Sequence, residues 1–203
     1  VQPGQSLDLS KRATSFTGYL SGKKDAAKAL KKNLRRLAEL QYLLYAEHKR
    51  SLLIILQAMD AGGKDGTIRH VMGPMNPQSC RVTSFKAPVE EELAHDFLWR
   101  IHRATPRTGE IVIFNRSQYE DVLIARVRGL VPEKVWQRRF DRINEFEQLL
   151  ADSGTVVLKF FLHISPEEQL ERLRERLDDP KKHWKANPQD FEERKHWDQY
   201  QRA

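Results

Sequence analysis

Three short stretches concentrate side chains that could do chemistry. The first is Asp60-Ala61-Gly62-Gly63-Lys64-Asp65-Gly66-Thr67, which follows the apolar, partly β-branched run Leu52 to Ala58. Glycines at the corner between a strand and a helix let backbone N–H groups close around an anion, and a lysine adds a point charge that reaches outer phosphates. The pattern predicts a phosphate cradle formed by Ala61, Gly62, Gly63, Lys64, Asp65, Gly66 and Thr67. It departs from the usual P-loop in two places. Ala58 stands where the first glycine belongs, and Asp65 where a Ser or Thr would hold magnesium. Asp60, an unusual acid among phosphates, makes sense as the residue that holds the metal instead: Mg2+, with Mn2+ as the alternative. A glycine-rich turn with a solvated lysine is the plainer reading of the same residues.

The second stretch, Asn115-Arg116-Ser117-Gln118-Tyr119-Glu120-Asp121, leaves another apolar run, Glu110 to Phe114. P-loop proteins end a second strand beside the phosphate loop with an acid that assists the metal. Here that position is Asn115, a neutral ligand, with Arg116 next and Glu120 and Asp121 slightly later. Burying such charges unpaired is costly, so the corner reads as a site more readily than as salt-bridged scaffolding. The third stretch, Asp178 to Pro188, is polar, proline-bounded and basic, and Arg172, Arg174 and Arg176 precede it. Loops of this kind close over phosphates in phosphotransferases, so residues 178–190 are expected to form a lid.

Elements that position these stretches follow from periodicity. Residues 1–21 read as an irregular arm. A helix is expected over 22–48, with Leu30, Leu34, Leu37 and Leu44 on one face and Lys24, Lys28, Lys31 and Arg35 on another. That cationic stripe is a solvated face or a surface for an anionic chain. Further strands are expected at Arg81–Phe85, Glu110–Asn115 and Thr155–Ile164. Helices are expected over Val89–Ala104, from Pro132 to about Ser153, and after a capping box at Ser165, Pro166 and Glu168. Leu170, Leu173 and Leu177 should carry that last helix inward, and Phe85 reads as core. Strands that are apolar throughout and alternate with helices predict an α/β fold with a parallel sheet covered on both faces.

With 203 residues, 39% of them hydrophobic, the chain reads as one domain over 1–203 with one substantial core. No run is long enough to span a membrane, and Val1-Gln2-Pro3-Gly4 lacks the apolar core of a signal peptide. The single cysteine, Cys80, allows no intramolecular disulfide and suits a reducing cytoplasm. A net charge of +7 points to a polyanionic partner. No nucleic-acid motif accompanies it and the aromatics fall at core-like spacings, so neither nucleic acid nor membrane is expected as the partner.

The phosphate loop, the Phe114-Asn115-Arg116-Ser117-x-Tyr119-Glu120-Asp121 corner and Lys182-x-Trp184-Lys185 together resemble the polyphosphate kinase 2 family, over roughly Lys23 to Tyr200. The resemblance implies a three-layer P-loop kinase fold similar to thymidylate kinases, with a C-terminal lid. It also implies reversible transfer of the terminal phosphoryl group of inorganic polyphosphate to nucleotides, in a homo-oligomer. Carried over by motif, Asp60 is the loop acid near magnesium and Lys64 the phosphate-binding lysine. Arg116 and Arg176 match the arginines at the second motif and at the root of the lid, and Lys182 and Lys185 match the lid's basic positions. Asn115, Glu120 and Asp121 are the implied nucleotide contacts, and Asn115 is a second candidate metal ligand. Asn115 departs from the aspartate of many members. Glu120 resembles the subgroup that accepts both nucleoside mono- and diphosphates, often called class III.

The expected chemistry is in-line transfer, with Asp60, Lys64, Arg116, Glu120 and Arg176 as its catalytic residues. An attacking phosphate oxygen is already ionised, so positioning and charge neutralisation suffice. An ATP-dependent nucleoside monophosphate kinase of the same fold and a nucleic-acid-binding P-loop protein are the rival readings.

Overall fold

The structure, a computed structural model, describes residues 7–203. The first six residues of the expected arm, with the stretch read for a signal peptide, lie outside the described residues. Helix α1 (Lys23–Glu47) ends where His48 turns into the left-handed region at φ 48°. Strand β1 (Ser51–Ala58) follows, then the phosphate loop, α2 (Lys64–Thr67) and a π-helical turn over Ile68–Met72. Next come β2 (Cys80–Ser84), α3 (Glu90–Leu93), α4 (Trp99–Arg103), β3 (Ile111–Asn115) and α5 (Glu120–Val127). The chain continues through α6 (Glu133–Asp152), β4 (Thr155–Leu162), α7 (Pro166–Asp178), a 3-10 turn at Pro180–Lys185, α8 (Pro188–Glu193) and α9 (Trp197–Arg202).

The four strands form one parallel sheet in the order β2-β3-β1-β4. β1 has a neighbour on each side and helices over both faces, which is why its sequence is apolar throughout rather than alternating. On one face Leu53 and Ile55 join Val112, Phe114, Ile101, Phe146 and Leu150. On the other, Ile54 and Leu56 join Ile111, Ile113 and Met75, with Leu37 and Leu44 of α1 and Ile68 and Met72 of the π-turn. Those are the three layers of the expected fold. Phe85 is buried and meets Phe114 edge to face at 4.9 Å, so it serves the core. No helix among the described residues is long and apolar enough to cross a membrane.

Local chemistry accounts for two departures from the expected elements. The single helix expected over Val89–Ala104 is broken into α3 and α4, because Asp96 Oδ1 accepts from Leu98 N at 2.9 Å and turns the chain between them. In α7, Ser165 caps Glu168 N as expected, but the Glu168 carboxylate pairs with Arg172 Nε at 2.7 Å instead of returning to the cap. Leu173 is buried while Leu177 is 53% exposed, so the helix turns Gln169, not Leu177, inward.

Candidate active site

The C-terminal ends of β1 and β3 lie side by side, with Leu56 opposite Asn115. Loops that leave adjacent parallel strands at that edge converge, and here they open a cavity of about 880 Å³. The phosphate loop forms one wall. Within it Gly62 N donates to Met59 O, and a Cβ at Gly62 would lie 2.5 Å from that of Ala58, so no other residue fits. Gly63 (φ +94°) and Ala61 (φ +59°) both take left-handed backbone. Lys64 begins α2 and is almost fully buried, its Nζ donating to Ala58 O at 3.0 Å. Its ammonium therefore lies back along the loop that it serves.

From β3 the corner approaches the same point. Arg116 is also left-handed (φ +66°); its N–H donates to Leu56 O, and its Nη2 donates to Asp60 Oδ1 at 3.0 Å. Asn115 Nδ2 donates to Asp65 Oδ1 at 2.9 Å. The lid reaches the loop from the third side, where Lys185 Nζ lies 3.0 Å from Asp65 Oδ2. The aspartate that replaces a P-loop hydroxyl thus binds the β3 corner with one oxygen and the lid with the other. At the root of the lid, Arg176 Nη1 donates to Asp190 Oδ2 at 2.7 Å, and Lys182 pairs with Glu175 at 3.0 Å. The cavity wall carries nine Lys and Arg side chains against three Asp, and Trp184 and Phe85 are its aromatic members.

A family model described as Polyphosphate kinase 2 matches residues 20–203. The chain belongs to the polyphosphate kinase 2 family. Over 204 residues it is 56% identical to an AMP/ADP-polyphosphate phosphotransferase of Meiothermus ruber, covering all of this chain and 76% of that protein. Over 215 residues it is 45% identical to an ADP-polyphosphate phosphotransferase of Rhodopseudomonas palustris, covering all of this chain and 74% of the other. The crystal structure of polyphosphate kinase 2 from Arthrobacter aurescens superposes with a TM-score of 0.94 at 47% identity, over 99% of this chain and 72% of that one. The chain is accordingly a phosphotransferase with a P-loop kinase fold.

The electrostatics suit a polyphosphate kinase 2 site that handles phosphates. Burial pushes the Lys64 ammonium below its ordinary value, and Arg116 adds to this, while Asp60, Glu120 and Asp65 oppose it. Burial pushes the Glu120 carboxyl up, against the pull of Arg116, Gln57 and Lys64. The bond from Lys185 holds the Asp65 carboxyl below its ordinary range.

Most of the expected site residues gather at the cavity: Asp60 to Gly66, Asn115, Arg116, Arg176, Lys182 and Lys185 all line it. Three do not. Thr67 is spent in the first turn of α2, its N–H donating to Gly63 O. Glu120 lies behind the wall, where Gln57 Nε2 donates to Oε1 at 3.1 Å. Asp121 is a correction to the expected nucleotide contact. It faces Arg100 at 3.7 Å and Arg139 at 3.6 Å, which makes it part of the scaffold that holds α4, α5 and α6 together.

Two residues that motif reading leaves out act on the loop through α7. Gln169 Nε2 donates to Asp60 O at 2.9 Å and Arg172 Nη1 to Ala61 O at 3.1 Å, satisfying carbonyls of the strained loop. The only trace of Gln169 in the sequence is a polar residue one helical turn before Leu173, on a face that should be apolar.

Proposed function

We propose that this protein transfers the terminal phosphoryl group of inorganic polyphosphate to nucleoside mono- and diphosphates, reversibly, at the cavity between the phosphate loop, Arg116 and the lid. The observation that carries the reading is the ninefold array of Lys and Arg around the loop, with two aromatic side chains beside it. A donor made of phosphates alone needs neutralisation along its length and no pocket for a base. The names of the Meiothermus and Rhodopseudomonas relatives support the same donor and acceptors. Glu120, in place of the asparagine more common in the family, supports acceptance of both AMP and ADP.

In this mechanism Lys64, Arg116 and Arg176 neutralise the three charged oxygens of the phosphoryl group in flight, and the backbone N–H groups of residues 61–66 orient it. Lys182 and Lys185 of the lid hold the flanking phosphates and exclude water. Glu120 acts from behind the wall by orienting Gln57 and balancing the charge of Lys64. The acceptor's phosphate oxygen attacks in line without a general base.

A divalent metal fits the donors present. Among the described residues no three His, Cys, Asp or Glu side chains cluster closely enough to cage an ion. Mg2+ in phosphoryl-transfer sites takes one or two protein oxygens and completes its shell with phosphate oxygens and water. Asp60, with the Asn115 amide oxygen that its bond to Asp65 leaves open, supplies such an all-oxygen set. Mg2+, or Mn2+ in its place, would be held by Asp60 and Asn115 and would supply positive charge that offsets the repulsion between phosphates. A cytoplasmic setting and a homo-oligomer belong to the same proposal.

The test is ATP formation from ADP and polyphosphate with Mg2+ and no added ATP, run in parallel with AMP. Product in both reactions is expected. Its absence with both acceptors, together with phosphorylation of AMP by ATP, would replace this reading by the ATP-dependent kinase.

A further inference from the structure

We propose that the N-terminal half of α1 is a second binding surface for polyphosphate, a track for the part of a long chain that extends beyond the cavity. The inference rests on the polyphosphate reading above. Lys24, Lys28, Lys31 and Arg35 recur at intervals of four, three and four residues, so they share one flank of α1 and rise about 17 Å along it. All four are exposed, as are Lys32 and Arg36 beside them. Arg36 pairs with Glu39, and the early acid Asp25 is engaged by Ser21. Among the described residues no ion pair occupies Lys24, Lys28, Lys31, Lys32 or Arg35. Five adjacent uncompensated cations repel one another, which disfavours the compact state unless an anion shares the surface.

Placement distinguishes this stripe from an ordinary solvated face. His48, at the end of α1, lies against Gly109 ahead of β3, and Gln41 bonds Asn76 and Ser79 ahead of β2. Both contacts mark the N-terminal edge of the parallel sheet, so the first turns of α1 point toward the opposite edge, where the phosphate loop lies. The 25 residues of α1 rise about 37 Å, whereas the eight of β1 span about 26 Å, so the cationic turns reach the level of the loop and pass it.

The flank is also the right one. Lys31 and Arg35 line a groove between α1 and Pro74. Pro74 lies two residues after the π-turn Ile68–Met72, and that turn contributes Arg69 to the wall of the catalytic cavity. One short segment therefore has the cavity on one side and the cationic flank of α1 on the other. A chain longer than the cavity must leave it, and along this route positive charge continues from Arg69 to Arg35, Lys31, Lys28 and Lys24. Contacts that hold the distal chain raise the effective concentration of its end at the loop without entering the transfer step.

The test compares wild-type protein with the charge-reversed K28E/K31E/R35E, using long-chain polyphosphate and tripolyphosphate in both filter-retention binding and transfer to ADP. The expected result is roughly tenfold weaker retention of the long chain with a matching rise in its KM. kcat and the KM for tripolyphosphate should stay unchanged, and the salt dependence of long-chain binding should become shallower. Equal retention by both proteins overturns the proposal, as does equal weakening for both chain lengths. Loss of duplex DNA retention with long-chain polyphosphate retention intact overturns it in favour of a nucleic-acid surface. If neither protein transfers phosphate from either donor, the donor reading fails while the retention comparison still decides the track. The neutral K28Q/K31Q/R35Q provides the same comparison should charge reversal lower the melting temperature.

Discussion

Arg116 Nη2 lies 3.0 Å from Asp60 Oδ1, so the guanidinium at the end of β3 and the acid of the phosphate loop neutralise each other across the cavity. In the proposed mechanism an incoming polyanion would compete for Arg116 and leave the Asp60 carboxylate to a metal. Replacing Asp60 by Asn removes the charge and keeps the size. The expected result is a fall in kcat of about 10²–10³-fold and a higher Mg2+ concentration for half-maximal rate. An unchanged Mg2+ titration would exclude Asp60 as a metal ligand.

Lys64→Ala removes the one ammonium seated in the loop. Transfer should fall by about 10²–10³-fold while far-UV circular dichroism is retained. The buried ammonium titrates below its ordinary value of 10.5 in the folded chain. Between that lowered value and 10.5 the unfolded chain binds more protons, so this group's contribution to stability rises with pH. Lys64→Met should remove that rise from chemical-denaturation curves measured across the alkaline range.

Glu120 predicts the opposite slope. Its carboxyl titrates above 4.5 in the folded chain because it is buried. Its contribution is fully present below 4.5 and is lost as pH rises through the folded value. Glu120→Gln keeps an acceptor for Gln57 and removes the ionisation. The variant should melt higher than wild type at neutral pH and equal to it below 4.5, while transfer falls. A lower melting temperature at neutral pH would contradict this account.

The β3 corner is also held from below by Glu147 of α6. Its Oε1 accepts from Gln118 Nε2 at 3.0 Å and Tyr119 Oη at 2.8 Å, and its Oε2 from Lys159 Nζ at 2.6 Å. Burial pushes the Tyr119 hydroxyl up to about 12, so it remains a donor throughout the working range. Glu147→Ala leaves three polar groups without their partner and should cost about 2–4 kcal/mol in urea unfolding. Glu147→Gln, which keeps the shape, should cost less. Equal stability of wild type and the alanine variant would contradict the network.

Local features of the chain were legible because they depend on near neighbours. Apolar runs marked β1, β3 and β4, and Gly62, Gly63 and Lys64 marked the anion loop, since backbone freedom and charge there are properties of a few consecutive residues. The motifs also grouped Asp60, Asn115, Arg116 and the lid lysines as one site, and these residues share one cavity. The break between α3 and α4 had a local cue as well, in Asp96, but helical periodicity outweighed it.

Only the tertiary structure decided which charges face the cavity and which face the scaffold. Glu120 and Asp121 are adjacent in sequence, yet successive helical positions point about 100° apart, so one meets Gln57 behind the loop and the other Arg100 and Arg139. Gln169 and Arg172 reach the loop carbonyls from more than a hundred residues away, a contact that no local pattern encodes. The cationic stripe of α1 was visible as periodicity. That Lys31 and Arg35 border a groove with Pro74 follows from how α1 packs on the sheet, which long-range burial decides.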